Sequence, residues 1–220
     1  MKNSSNKKKS FFLLIGVMMM GAVMRVPFTA IPAVLTDIAA GLGVSVSDLG
    51  ILTSLPLVMF ALCSSLAPGW AARLGLEKLL GLALLVMTAG SLLRIVGVAG
   101  LFLGTILIGI SVAIINVLLP SLVSVLFPLM VGLYTTVFIT MLGLAGTVGL
   151  MVAVPIVEAS SWQTFVILLT LFVGLAALIW LPNWSYNHRF EQASKTTKQG
   201  SLLKNKAALI FGSLSTVVGR

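Results

Sequence analysis

Long apolar runs separated by short polar breaks dominate the chain, and the runs are long enough to cross a bilayer as helices. The first follows a lysine-rich start (Lys2, Lys7, Lys8, Lys9) and continues from Phe11 past Arg25 to Leu35. By itself its beginning has the form of a secretory leader. The run is too long for one and more spans follow, so it is read as a retained first helix. Gly41 to Ser47 predicts a turn, with Ser47 as N-cap and Asp48 in the first turn of a second helix reaching Pro68 and loosened at Pro56. Gly69 to Lys78 reads as a tight polar connection to a third helix, Leu79 to Val98. The short turn Gly97 to Gly100 then makes helix four, Leu101 to Leu119, its antiparallel neighbour. From Ile95 to Val157 there is no charged residue. That length needs two spans, and the breakers Pro120, Ser121, Ser124 and Pro128 put the turn between Pro120 and Met130. Helix five is predicted at Val131 to Val157, a turn at Glu158 to Gln163, and helix six at Thr164 to Leu181. Trp162, Trp180 and Trp184 are expected as interfacial anchors.

Small residues recur every four positions as Thr105, Gly109 and Ala113 and again as Ala145, Gly149 and Ala153, a pattern that lets helices approach closely. After helix six, 183–206 is a polar, basic linker. Ala207 to Val218 is apolar again but about 18 Å long as a helix, too short to span, and reads as the start of a seventh.

Composition agrees with the pattern: 59% hydrophobic and 9% charged residues exclude a soluble domain. The net charge of +9 is not spread along an exposed face as a nucleic-acid site would require. It collects between spans. Lys2, Lys7, Lys8, Lys9, Arg73, Lys78, Arg189, Lys195, Lys198, Lys204 and Lys206 fall on one side of the membrane, and Asp37, Asp48 and Glu158 on the other. The bias of basic loops toward the cytoplasm puts the N-terminus and the 183–206 linker there, consistent with six spans in a cell membrane. A single cysteine, Cys63, excludes an internal disulfide, and the single histidine, His188, has no second ligand nearby, so neither a metal nor another cofactor is expected.

The chemistry within the spans centres on Arg25, about 21 Å along helix one from Phe11 and so deep in the hydrocarbon layer. A guanidinium there costs at least about 2.5 kcal/mol if it faces lipid, so it must face a cavity or a partner. Its planar fork of donors suits a carboxylate-like or planar anion, though pairing with a carboxylate on another helix would also satisfy it. Arg94, near the far end of helix three, reads first as a structural residue snorkelling to the interface, with a gate or a second positive charge as the other reading. Thr29, Asn116 and Tyr134 are the candidate hydrogen-bonding partners for a solute bound at Arg25. An intramembrane enzyme would need paired carboxylates, a metal set or a serine with a base, and none is within the spans; a phosphate-cradling GxxxxGK[ST] loop is absent as well.

Several segments together resemble the cyanate transporter-like branch of the major facilitator superfamily, which includes nitroimidazole and other small-anion carriers. They are MRVPFTAIP in helix one, VSVSDLGILTSLPLVMFALCSSLAP in helix two, GSLLR ending helix three and GISVAIINVLLPSLV in helix four; FP followed by GLYTT, and the SW turn before helix six, continue the match. The loop PGWAARLGLEK resembles the superfamily's conformational signature in degraded form: Arg73 and Gly75 match, Ala72 replaces the usual acid, and Leu76 and Glu77, ahead of Lys78, replace the basic pair. The resemblance implies an all-α membrane protein of six transmembrane helices. These form a 3+3 inverted repeat, the N-terminal half of a transporter, in which helices one and four are counterparts; Arg25 before Pro27 and Asn116 before Pro120 agree with that pairing. It implies no enzyme but a secondary carrier, or half of one, for a small anionic or polar solute such as cyanate or a nitroimidazole-like compound. The expected partners are that solute, the lipid bilayer, and a C-terminal six-helix half or a second copy. Three departures mark this chain: about half the length of twelve-helix members, no basic residues after FP, and Gln163 where an arginine often follows the tryptophan. They imply a truncated half, with an inactive product or a non-transporting protein that packs against a partner as the alternatives. The expected divisions are 1–10 as basic N-terminus, 11–182 as the six-helix unit, 183–206 as linker and 207–220 as an incomplete seventh helix.

Overall fold

The computed structural model describes residues 2–185; the polar segment from 186 onward and the apolar run Ala207 to Val218 lie outside them. The described residues form α1 (Lys2–Ala33), α2 (Leu35–Leu42), α3 (Val46–Leu49), α4 (Ile51–Ser64), α5 (Ala67–Leu74), α6 (Leu76–Leu93), α7 (Val98–Leu126), α8 (Val131–Ala159) and α9 (Trp162–Trp180), closed by a 3-10 turn at Leu181–Ser185. Six stretches are long and apolar enough to cross a membrane: Leu14–Ala33, Val46–Ser64, Leu76–Leu93, Val98–Leu126, Val131–Ala159 and Trp162–Trp184. They are the six spans expected from the hydropathy pattern.

Their boundaries differ from that pattern where proline or polarity was taken as a stop. α7 runs through Pro120 to Leu126, leaving a turn of only a few residues before α8. A membrane helix tolerates an internal proline where neighbours compensate the lost bond. Gly69 to Lys78 is mostly helix: α5 resumes the path of the second span, and the break narrows to Gly75, whose φ of 91° is open to glycine and strained for other residues. Gly97, at φ 106°, makes the equally sharp turn into α7. The N-cap of the second span is Ser45, not Ser47, because the Ser45 hydroxyl accepts from the Asp48 amide at 3.2 Å. Glu158 lies inside α8, and the turn to α9 shrinks to Ser160 and Ser161.

The tryptophans also differ from expectation. Trp180 is wholly buried and Trp162 nearly so. Trp180 finds room because glycines face it: a methyl on Gly16 would lie 2.6 Å from its ring, and one on Gly81 3.1 Å away. Its indole N–H donates to the Glu77 carbonyl at 2.9 Å, which ties α9 to the first turn of α6.

The helices pack as two related triplets. α1 lies against α8 and α4 against α7; α6 contacts α7 and α9 contacts α1; α6 meets α9, and α1 meets α7. Exchanging the first, second and third spans with the fourth, fifth and sixth maps each of these pairings onto another of them or onto itself. Counterparts lie three spans apart and so run in opposite directions, which is a 3+3 inverted repeat. The predicted small-residue faces form these seams. Thr105, Gly109 and Ala113 are buried on α7, with Gly109 against Pro56 of α4; Gly149 and Ala153 are buried on α8, with Gly149 against Val26 of α1.

Exposure is uneven. Only 22% of the α4 span and 22% of the α8 span is buried, against 61% of the α7 span. The two outer helices therefore leave an uncovered apolar surface, including Leu57, Val58, Leu62, Ile139 and Val148.

Replacing Gly109 tests the α4–α7 seam. A methyl there would lie 2.9 Å from the Pro56 Cα, which is backbone and cannot swing aside. Gly109→Val is expected to cost about 1–3 kcal/mol, read as a lower unfolding temperature in detergent. Gly143→Ala, which meets open space, should leave that temperature unchanged or raise it slightly.

Candidate functional site

Arg25 sits in α1 between Met24 and Val26, both buried, yet is itself exposed. Met24 belongs to the larger core cluster, with Met20, Leu84 and Ile115; Val26 belongs to the second, with Ile38, Leu49 and Phe165. The arginine thus leaves the packed stripe where the two clusters meet. Its aliphatic stem crosses Gly146 of α8, where a methyl would lie 2.6 Å from the Arg25 Cγ. That glycine makes the space the stem occupies.

Arg25 lines a cavity of about 200 Å³ together with Asn116 of α7. The walls are otherwise apolar: Met24 and Phe28 from α1, Leu57 and Phe60 from α4, Val112 from α7 and Leu142 from α8. One guanidinium and one carboxamide thus line the same small, mostly apolar space, each supplied by one of the two counterpart helices. A fork of N–H donors and a group that both donates and accepts can grip a compact solute bearing acceptor atoms at its edge.

The other residues singled out from the sequence stand elsewhere. Thr29 is turned back on its own helix, its hydroxyl donating to the Arg25 carbonyl at 3.0 Å. Tyr134, in the first turn of α8, stacks on Phe127 with ring centres 4.1 Å apart. Arg94 does not snorkel outward. It is 2% exposed, and its Nε and Nη2 donate to the Thr105 hydroxyl at 3.2 and 3.1 Å while Nη1 donates to the Pro27 carbonyl at 3.0 Å. In the degraded signature Arg73 and Lys78 are exposed, Gly75 makes the turn, and Glu77 is fully buried at the start of α6. Among the described residues no group of three His, Cys, Asp or Glu is placed to hold a metal ion.

Sequence reasoning missed the walls, because Phe28, Leu57, Phe60 and Leu142 are indistinguishable by type from residues facing lipid. It also missed Gly146. The one available signal was its position beside the Ala145/Gly149 face.

A model of the Major Facilitator Superfamily matches residues 11–219. The chain belongs to the Major Facilitator Superfamily. It is 36% identical over 199 residues to an uncharacterized transporter, YycB, of Bacillus subtilis (strain 168), covering 89% of this chain and 50% of that protein. It is also 36% identical over 183 residues to the 2-nitroimidazole transporter of Escherichia coli (strain K12), covering 82% of this chain and 47% of that one. This superfamily member therefore spans about half the length of the curated relatives it matches. Both relatives are described as transporters.

Gly146→Ala is expected to push the Arg25 stem out of its seat, since the new methyl meets Cγ and not the free end of the side chain. Binding of an anionic probe to the purified protein should weaken about tenfold, the scale of one charge-assisted hydrogen bond lost. Gly143→Ala, one turn away, should bind as the unsubstituted protein does.

Proposed function

We propose that this six-helix unit is one half of a secondary transporter for a small anionic or strongly polar solute, with Arg25 as anion anchor and Asn116 as the second polar contact. The observation that carries this reading is the pairing of these two residues in one apolar-walled cavity of about 200 Å³. Drug-sized ligands occupy roughly 300–1,000 Å³, so the space suits a smaller molecule. A planar solute with two acceptor oxygens or a ring nitrogen at its edge matches the guanidinium fork, and Phe28 and Phe60 offer aromatic surface for a flat body. Nitroimidazole-like compounds are of this kind, and cyanate is a smaller, linear anion with acceptor atoms at its ends; the description of one relative as a 2-nitroimidazole transporter supports the class.

The sparsely covered helices α4 and α8 flank the cavity, α4 contributing Leu57 and Phe60 to its wall and α8 Leu142. A second six-helix unit, whether a C-terminal half or another copy, seated on those helices would enclose the solute between the two. Rocking one half against the other would then expose it alternately to the two sides of the membrane. The distribution of basic residues supports a cytoplasmic N-terminus in a cell membrane. The alternative, a protein that docks a partner through its small-residue faces, draws less support, because Thr105, Gly109, Ala113, Gly149 and Ala153 are buried within the bundle and Ala145 is half-buried.

Binding to purified protein tests the site, with cyanate and a 2-nitroimidazole as probes. Arg25→Ala should weaken binding by roughly tenfold or more and Arg25→Lys by less, since a lysine keeps the charge but not the fork. Unchanged affinity in both variants would remove Arg25 from the site. Reconstitution at one copy per vesicle tests the need for a second unit: no saturable uptake is expected, and saturable uptake would show that one copy suffices.

A further inference from the structure

Arg94 is a charged group buried to 2% exposure whose three hydrogen bonds run to two neutral oxygens on two other helices. It caps the helix that ends at Leu93, and its side chain turns inward. The stem passes over Gly104 of α7, where a methyl would lie 2.8 Å from the Arg94 Cγ. The Thr105 hydroxyl accepts from Nε and Nη2 and passes its own proton to the Leu101 carbonyl at 2.7 Å, which fixes the hydroxyl's orientation as an acceptor. With Nε and Nη2 so held, Nη1 is aimed at the carbonyl of Pro27, two residues from Arg25 on α1.

That segment of α1 is packed through Met24, Val26 and Ile31, but its own hydrogen-bond ladder is weakened. Pro27 and Pro32 each remove a backbone donor from the helix ladder, leaving the stretch between them less constrained than a regular helix. On one side it is seated on α8 through Gly146 and Gly149; on the other the Pro27 carbonyl is held by Arg94.

From this geometry we infer that Arg94 is a positioning residue for Arg25. Its fork, oriented by Thr105, clamps the proline-loosened turn of α1 and so fixes the direction in which Arg25 enters the cavity. The clamp also couples the α6–α7 junction to α1: a movement of α1 at this level must either break a charged, buried hydrogen bond or carry α6 and α7 along. A lysine at 94 would keep the charge but cannot reach both oxygens with a planar fork, and valine at 105 keeps the shape of threonine without the acceptor. The consequence for transport rests on Arg25 being the anion anchor; the geometric coupling does not.

The test therefore reads Arg25 directly. The full chain, purified in detergent without solute, is treated with phenylglyoxal, and modification of each arginine is followed by mass spectrometry. Exposed Arg73 serves as the internal reference. Thr105→Val should change the Arg25 modification rate by about threefold or more, the lower end of coupling within one hydrogen-bond network, with Arg73 unaffected. Thr105→Ser, which restores the acceptor, should return the rate to that of the unsubstituted protein. If Thr105→Val does not fold, Arg94→Lys is read in the same way. An Arg25 rate that stays the same in whichever of these folds overturns the inference, as does an equal change at Arg25 and Arg73, which would mark general loosening. An altered Arg25 rate in a protein that binds no anion would leave the clamp standing and remove the transport reading alone.

Discussion

A guanidinium within a bilayer must be wrapped by protein, because hydrocarbon offers it no acceptor and insertion costs at least about 2.5 kcal/mol. This bundle meets that constraint twice, with opposite results. Arg94 is enclosed, its donors directed to Thr105 and Pro27. Arg25 is left facing a cavity with Asn116. In both cases the stem crosses a glycine on the neighbouring helix, Gly104 for Arg94 and Gly146 for Arg25, so that the helices stay in contact while a long side chain passes between them. The enclosed cation holds the turn from which the exposed one projects.

Close approach of helices follows from the same physics. Association inside a membrane gains little from apolar burial, so it depends on packing that small residues permit. Gly109 meets the backbone of Pro56, Gly90 and Gly104 meet each other, Gly149 takes the Val26 side chain, and Gly16 and Gly81 take the Trp180 ring. These seams relate the two triplets by a pseudo-two-fold axis, and the cavity draws its two polar residues from α1 and α7, which that axis exchanges. One sequence element, a polar residue shortly before a proline, thus serves a related position in each triplet with different chemistry: a fixed positive charge in one and a neutral amide in the other.

The uneven covering of the spans has a consequence for the site. α7 is enclosed by its neighbours, whereas α4 and α8 present most of their length outward, and both border the cavity. An outward face made of leucine, valine and isoleucine is compatible with lipid as well as with another helical unit. What distinguishes it from an ordinary lipid-facing surface is the charge behind it, which a hydrocarbon covering would leave without an acceptor.

The six spans, their order and the all-helical class were legible in the sequence, because twenty-residue apolar runs in lipid must satisfy their backbone groups internally, which a helix does within the segment. The depth of Arg25 followed from counting residues along the first run. The ends of helices were less legible: Pro120 and the polar Gly69 to Lys78 stretch read as breaks, yet neighbouring helices hold both in helical form. Asn116 could be singled out for the Arg25 site, but the residues that seat the two arginine stems could not be read. Which direction a side chain takes depends on what the adjacent helix removes or supplies, here Gly146 beside Arg25 and Thr105 beside Arg94, residues 121 and 11 positions away. Sequence alone therefore determined that two cations lie within or beside the spans, and only tertiary packing decided which of them is enclosed and which is presented to the cavity.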